Sequence, residues 1–167
     1  MNTATDLVIR SFGRWKRTGD QVFGGAGYDE IDFNEAVFEE GGVVRTHTET
    51  TTRYSLPRRG FYLVTLSIAL SVNAADDTID IQLVRESTPI RYWRNVAVVG
   101  GGTSPTILSL STVVAADDAM ELAVRFQTSG ASSVLGEGTL EADGTWIEIT
   151  RLGDGPIPAI AAPPPIG

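Results

Sequence analysis

Between Phe61 and Val72 the side chains alternate. Tyr62, Val64, Leu66, Ile68, Leu70 and Val72 fall on one parity, and Thr65, Ser67, Ala69 and Ser71 on the other. A two-residue hydrophobic period makes one continuous apolar face only in an extended chain, because successive strand side chains point to opposite sides. The segment therefore predicts a long strand with one bulky face in a core and one face of small residues. The same period recurs in Met120, Leu122, Val124 and Phe126, set against Glu121, Ala123, Arg125 and Gln127. It returns in Ile79, Ile81 and Leu83, set against Asp80 and Gln82.

Further strands are expected at 7–11, 30–38, 43–54, 90–99, 106–114, 133–138 and 145–152, about ten in all at the spacing of sandwiches and barrels. Turn-forming clusters separate them, among them 24–27, 40–42, 57–60, 73–77, 100–105, 115–118 and 142–144. No amphipathic helix of useful length interrupts the series. Connections this short, without crossover helices, make neighbouring strands antiparallel. Two sheets packed face to face then bury the bulky parity. The reading is an all-β, antiparallel two-sheet β-sandwich. The small parity, with Ser67, Ala69, Ser71, Ser109 and Ser111, either faces water or lets another subunit come close.

At 167 residues the chain fits one domain and can bury a core without staples, and 42% hydrophobic with 20% charged residues is ordinary globular composition. It has no cysteine, which removes disulfides, zinc-thiolate sites and thiol nucleophiles. A net charge of −8 argues against nucleic acid as a partner. Locally, Arg10, Arg14, Lys16 and Arg17 cluster around Trp15, either to meet an acidic partner or as a solvated face. The first residues lack the apolar stretch of a secretory signal, and no apolar run is long enough to span a bilayer, so no membrane partner is expected. At the other end, residues 156–165 hold five prolines and cannot join a sheet. They read as an extended arm, frayed or laid across a neighbour.

Chemistry-bearing patterns are sparse. The one histidine, His47, stands between Thr46 and Thr48 and reads as a surface strand residue, without catalytic or metal role. The carboxylate pairs Asp29–Glu30, Glu39–Glu40, Asp76–Asp77 and Asp117–Asp118 fall mostly in turns, where acids bond local backbone and stay wet. No spacing matches a calcium loop, and the glycine runs lack the setting of a phosphate loop. A single histidine also disfavours a catalytic triad. No enzyme, cofactor or metal is expected. In the run Arg91–Tyr92–Trp93–Arg94 large side chains occupy both parities, so one face must meet something besides the core. Tyr92, Trp93 and Arg94 are the candidate ligand-binding residues, for a sugar or a receptor; the alternative is an aromatic pair divided between core and subunit interface.

From about residue 30 the order of strands and turns resembles the C1q/TNF-like jelly roll. The strongest match is Tyr54-Ser55-Leu56-Pro57-Arg58-Arg59-Gly60-Phe61-Tyr62-Leu63-Val64, which resembles the family's turn before its long core strand, with Gly60 making the turn and Tyr62 pointing inward. Residues 110–122 match a strand, acidic turn and strand, with Ala115-Ala116-Asp117-Asp118 where the family commonly has Gly-Asp. The closing segment Thr145-Trp146-Ile147-Glu148-Ile149-Thr150-Arg151-Leu152 is similar to the last strand of such domains in bacteriophage structural proteins. About three quarters of the chain is covered.

The resemblance implies a homotrimer whose small-residue faces pack around a threefold axis, serving recognition or virion architecture. The resulting expectation divides the chain into an anchoring segment with a first strand (1–29), a jelly-roll domain (30–153) and a proline-rich arm (154–167). It makes the protein a virion component of a phage, assembled in the bacterial cytoplasm: a non-enzymatic knob decorating the capsid, or part of a head fibre or tail. Arg10, Arg14, Trp15, Lys16 and Arg17 would anchor it to other virion proteins. The rival expectation is a carbohydrate- or receptor-binding module that meets a host-surface glycan.

Overall fold

The computed structural model describes residues 12–23, 27–49, 51–72, 78–97, 105–117, 119–129, 132–134, 136 and 144–153. Regular structure among them is strand throughout: β1 (Phe12–Lys16), β2 (Gln21–Phe23), β3 (Asp29–Glu30), β4 (Glu35–Glu40), β5 (Val44–His47), β6 (Thr52–Leu56), β7 (Gly60–Val72), β8 (Thr78–Arg85), β9 (Thr88–Ala97), β10 (Thr106–Ala116), β11 (Met120–Thr128), β12 (Ser132–Val134) and β13 (Trp146–Gly153).

Two antiparallel sheets result. The first runs β2-β12-β7-β13-β1-β4, and β10 lies along the other edge of β7. The second runs β5-β6-β11-β8-β9, with β3 beside β11. After β7 the chain crosses to the second sheet for β8 and β9, returns for β10, crosses again for β11 and comes back for β12 and β13, which is the jelly-roll exchange of strands between layers.

The bulky parity closes the core as the alternation requires. Tyr62, Val64, Leu66, Ile68 and Leu70 of β7 meet Ile79, Ile81 and Leu83 of β8 and Leu122, Val124 and Phe126 of β11, all essentially inaccessible to water. Trp15, Phe33 and Tyr54 extend the core, with the Trp15 and Tyr54 rings 4.6 Å apart. On β1, Gly13 makes room for this packing: a Cβ there would stand 2.3 Å from the Trp15 ring.

The turn before β7 explains its motif. The Tyr62 side chain enters the core while its hydroxyl donates 2.8 Å to the Arg58 carbonyl, tying the strand to the turn that precedes it. Gly60 begins β7 at φ +150°, and a Cβ would meet the Gly153 carbonyl oxygen at 2.5 Å. Only glycine allows β7 and β13 to approach this closely there.

Three sequence expectations change. The expected strand at 43–54 is a hairpin, β5 and β6, closed by Thr48 and Thr51. The Thr48 amide donates to the Thr51 carbonyl at 3.0 Å, and the two hydroxyls lie 2.6 Å apart. Threonine hydroxyls make this turn in place of glycine or proline. The expected strand at 30–38 is divided as well, because the chain leaves β3 in the second sheet and enters β4 at the edge of the first. Finally, β1 and β2 are strands of the sandwich itself: β1 lies between β13 and β4 with Trp15 wholly buried, and β2 pairs with β12. The strand expected at 7–11, Arg10 with it, and the arm at 154–167 lie outside the described residues.

Candidate functional site

The face of the first sheet turned away from the core is built in rows by the strand register. One row is Ser109, Ser67, Trp146, Lys16 and Glu35; the next is Ser111, Thr65, Glu148, Arg14 and Phe38; the third is Val113, Leu63, Thr150, Phe12 and Glu40. Ile107 and Val113 on β10 and Leu152 on β13 are about half exposed, and Phe61 and Leu63 are partly so. The half of this face on β7 and β10 therefore combines apolar side chains with serine, threonine and alanine. It carries no formal charge between Ile107 and Val113, and that composition suits close approach of another apolar surface.

The half nearer β1 is charged and organised. The Arg14 guanidinium lies 4.2 Å above the Trp146 ring, Lys16 pairs with Glu35 at 3.2 Å, and Phe12 meets Phe38 edge-on at 5.3 Å. Of the residues expected to anchor the chain, Arg14, Trp15, Lys16 and Arg17 are thus built into the sandwich. Trp15 fills the core and its indole N–H donates to Glu39. Arg17 turns to Asp32, donating to its carbonyl at 2.8 Å and its carboxylate at 3.2 Å.

Asp32 is the centre of a polar cluster that no sequence motif announces. Its carboxylate accepts from Thr52 Oγ1 at 2.6 Å and lies 2.8 Å from His47 Nε2, and its amide donates to Gln21 Oε1 at 3.0 Å. Beside it Arg45 donates to the Phe33 carbonyl at 2.7 Å. The Thr52 hydroxyl gives its hydrogen bond to Asp32 and not to His47, so the group lacks the nucleophile-to-base contact of acyl transfer. Next to it the Tyr54 hydroxyl is buried with no hydrogen-bond partner among the described residues. Burial pushes the phenol well above its ordinary range, with Arg45 acting in the opposite direction. Among the described residues no group of three or more His, Cys, Asp or Glu could hold a metal ion.

The candidate ligand-binding residues fall on β9, an edge strand that pairs only with β8 among the described residues. Tyr92 is about half exposed, whereas Trp93 packs against the core. The side chain of Arg94 is not described. On the same strand Arg91 reaches across to the other sheet and donates to Thr112 Oγ1 at 3.0 Å.

This arrangement of two sheets is shared with known proteins. Eiger TNF from S. frugiperda matches over 90% of this chain and 96% of its own, at a TM-score of 0.60 and 17% identity. Murine APRIL at pH 5.0 matches over 86% and 99%, at a TM-score of 0.58 and 13% identity. No family model matches the chain, and no curated protein matches it in sequence. The fold is a TNF-like jelly roll.

Proposed function

We propose that the chain is a non-enzymatic assembly and display module: a homotrimeric jelly-roll knob of a phage virion, placed on the capsid or forming part of a head fibre or tail. The observation that carries the assembly is the outer face of the first sheet. Ile107, Val113 and Leu152 stand half exposed beside the exposed Ser109 and Ser111, whose short side chains let a second copy approach the sheet backbone. Burying each of the larger side chains contributes on the order of 1–2 kcal/mol. The absence of cysteine and the likeness of the closing strand to phage structural domains support the virion setting. Light scattering of the purified chain should give three times the protomer mass, and Val113→Glu should give the protomer. A monodisperse protomer for the parent chain at high concentration refutes the assembly. Detection of the chain in purified particles by mass spectrometry tests the virion setting.

A second reading, a carbohydrate- or receptor-binding recognition module, is favoured by the half-exposed Tyr92 on β9, which pairs only with β8 among the described residues. Loss of glycan-array or receptor binding on Tyr92→Ala, with the oligomer intact, would place recognition there.

A further inference from the structure

Gln21 and Val22 of β2, Tyr28, Asp29 and Glu30 at β3, and Arg125 of β11 enclose a cleft of about 410 Å³. It lies where the second sheet meets β2, and none of these residues belongs to the outer rows of the first sheet. Glu30 is its distinguishing group. The side chain is 9% exposed; Oε1 accepts from Arg53 at 3.3 Å and lies 3.7 Å from Arg125. Oε2 is buried without a hydrogen-bond partner among the described residues. A buried carboxylate oxygen left without a donor is rare and costly, and a donor from a bound molecule lowers that cost.

The charges decide what that molecule is. Asp29 and Glu30 line the cleft with Arg125, Arg53 pairs with Glu30 from behind, and Asp80 accepts from Tyr28 at its wall, so groups of both signs stand around it. A free cation meets Arg125 there and an anion meets two carboxylates. A neutral ligand carrying several hydroxyls matches both: its O–H groups donate to Glu30 and Asp29, and its oxygens accept from Arg125. The walls suit such a ligand. The Tyr28 hydroxyl donates to Asp80 at 3.2 Å, which helps hold its ring, and Val22 is 77% exposed beside it. The lining mixes Val22, Phe23 and the Tyr28 ring with the polar Gln21, Thr51 and Arg125 and the two carboxylates, and the volume lies at the low end of the roughly 300–1,000 Å³ that small-molecule sites occupy.

We propose that this cleft binds a neutral sugar residue, free or at the end of a surface glycan. The assignment deepens the recognition reading, but places it at β2 and β3 instead of β9, and it does not depend on trimer formation.

The test is chemical-shift mapping on the full-length ¹⁵N-labelled chain, titrated separately with glucose, galactose, mannose and N-acetylglucosamine to about 50 mM, enough to reveal millimolar binding. Saturable shifts at Tyr28, Asp29 and the Gln21 side-chain amide are expected for at least one sugar. Tyr28→Ala and the rim variant Asp29→Ala should each weaken it about tenfold or more. If a glycan end is the natural source, the methyl glycoside binds as well as the free sugar; if the free sugar is the source, the glycoside fails. Both results support the cleft as a sugar site. Saturation by none of the four sugars overturns it, as do shifts caused only by calcium chloride or methylammonium, or sugar shifts confined to β9. Val113→Glu should keep sugar binding while losing assembly, so failure of the sugar site and failure of the trimer are read separately.

Discussion

His47 Nε2 lies 2.8 Å from Asp32 Oδ1, which ties a surface histidine on β5 to a buried carboxylate in the crossing between β3 and β4. The same carboxylate holds Arg17 and Thr52, so three separate strands or strand ends are fastened at one side chain.

Removing the two ends of the His47–Asp32 contact should have unequal effects. Asp32→Ala leaves Arg17, whose side chain is only 11% exposed, without its carboxylate, and should destabilise by about 2–4 kcal/mol. His47→Ala removes a partner that is 32% exposed and should cost under about 1 kcal/mol. Urea unfolding of the two variants measures the difference; equal losses would mean that Asp32 is not the fastening point.

Tyr54→Phe should be nearly neutral or stabilising, because it deletes a buried hydroxyl that has no partner among the described residues. It should also alter the alkaline limb of stability. The phenol is held protonated in the fold by burial, so above about pH 10 the unfolded chain releases its proton while the folded chain keeps it. The unfolded state then binds fewer protons and stability falls as pH rises. Unfolding free energies measured from pH 8 to 11 should fall less steeply for Tyr54→Phe than for the parent.

The corner at Tyr62 predicts two graded losses. Tyr62→Phe keeps the ring in the core and deletes the hydrogen bond to the Arg58 carbonyl, for a loss of about 1 kcal/mol. Gly60→Ala forces a Cβ against the Gly153 carbonyl and should cost about 2 kcal/mol or more. Thermal unfolding should rank the parent above Tyr62→Phe and Tyr62→Phe above Gly60→Ala.

Between β8 and β9 the hairpin turns at Glu86 and Ser87, both at positive φ, 46° and 80°. A two-residue turn of this hand favours asparagine and glycine. Ser87→Gly should stabilise by roughly 0.5 kcal/mol after glycine's greater chain entropy is counted, raising the melting temperature by about 1–2 °C. A lower melting temperature would show that the Ser87 side chain contributes more than its backbone strain removes.

The outward rows show where sequence reading succeeds and where it stops. The alternation in β7, β8 and β11 identified which parity faces the core, since a two-residue period admits one extended arrangement, but it did not show that Ser67, Ala69, Gln82 and Ala123 on the other parity are buried as well. It did not show that Glu86 and Ser87 turn the chain, because neither residue type prefers that conformation. Nor did it show that Trp15 lies over Gly13 within the core: tryptophan among Arg14, Lys16 and Arg17 looks the same in sequence whether it is exposed or buried. The candidate sugar cleft was equally hidden, since Gln21, Glu30 and Arg125 become neighbours only through pairing of β3 with β11 and the return of β2.

Sequence alone determined that this chain is extended, antiparallel and layered, because side-chain parity and turn chemistry are local properties that survive without any knowledge of neighbours. Tertiary structure decided which strands lie side by side, and with them every polar contact made over long separations: Asp32 with Arg17, His47 and Thr52, and Glu30 with Arg53 and Arg125. Such contacts depend on the register between strands far apart in the chain, which no local pattern encodes.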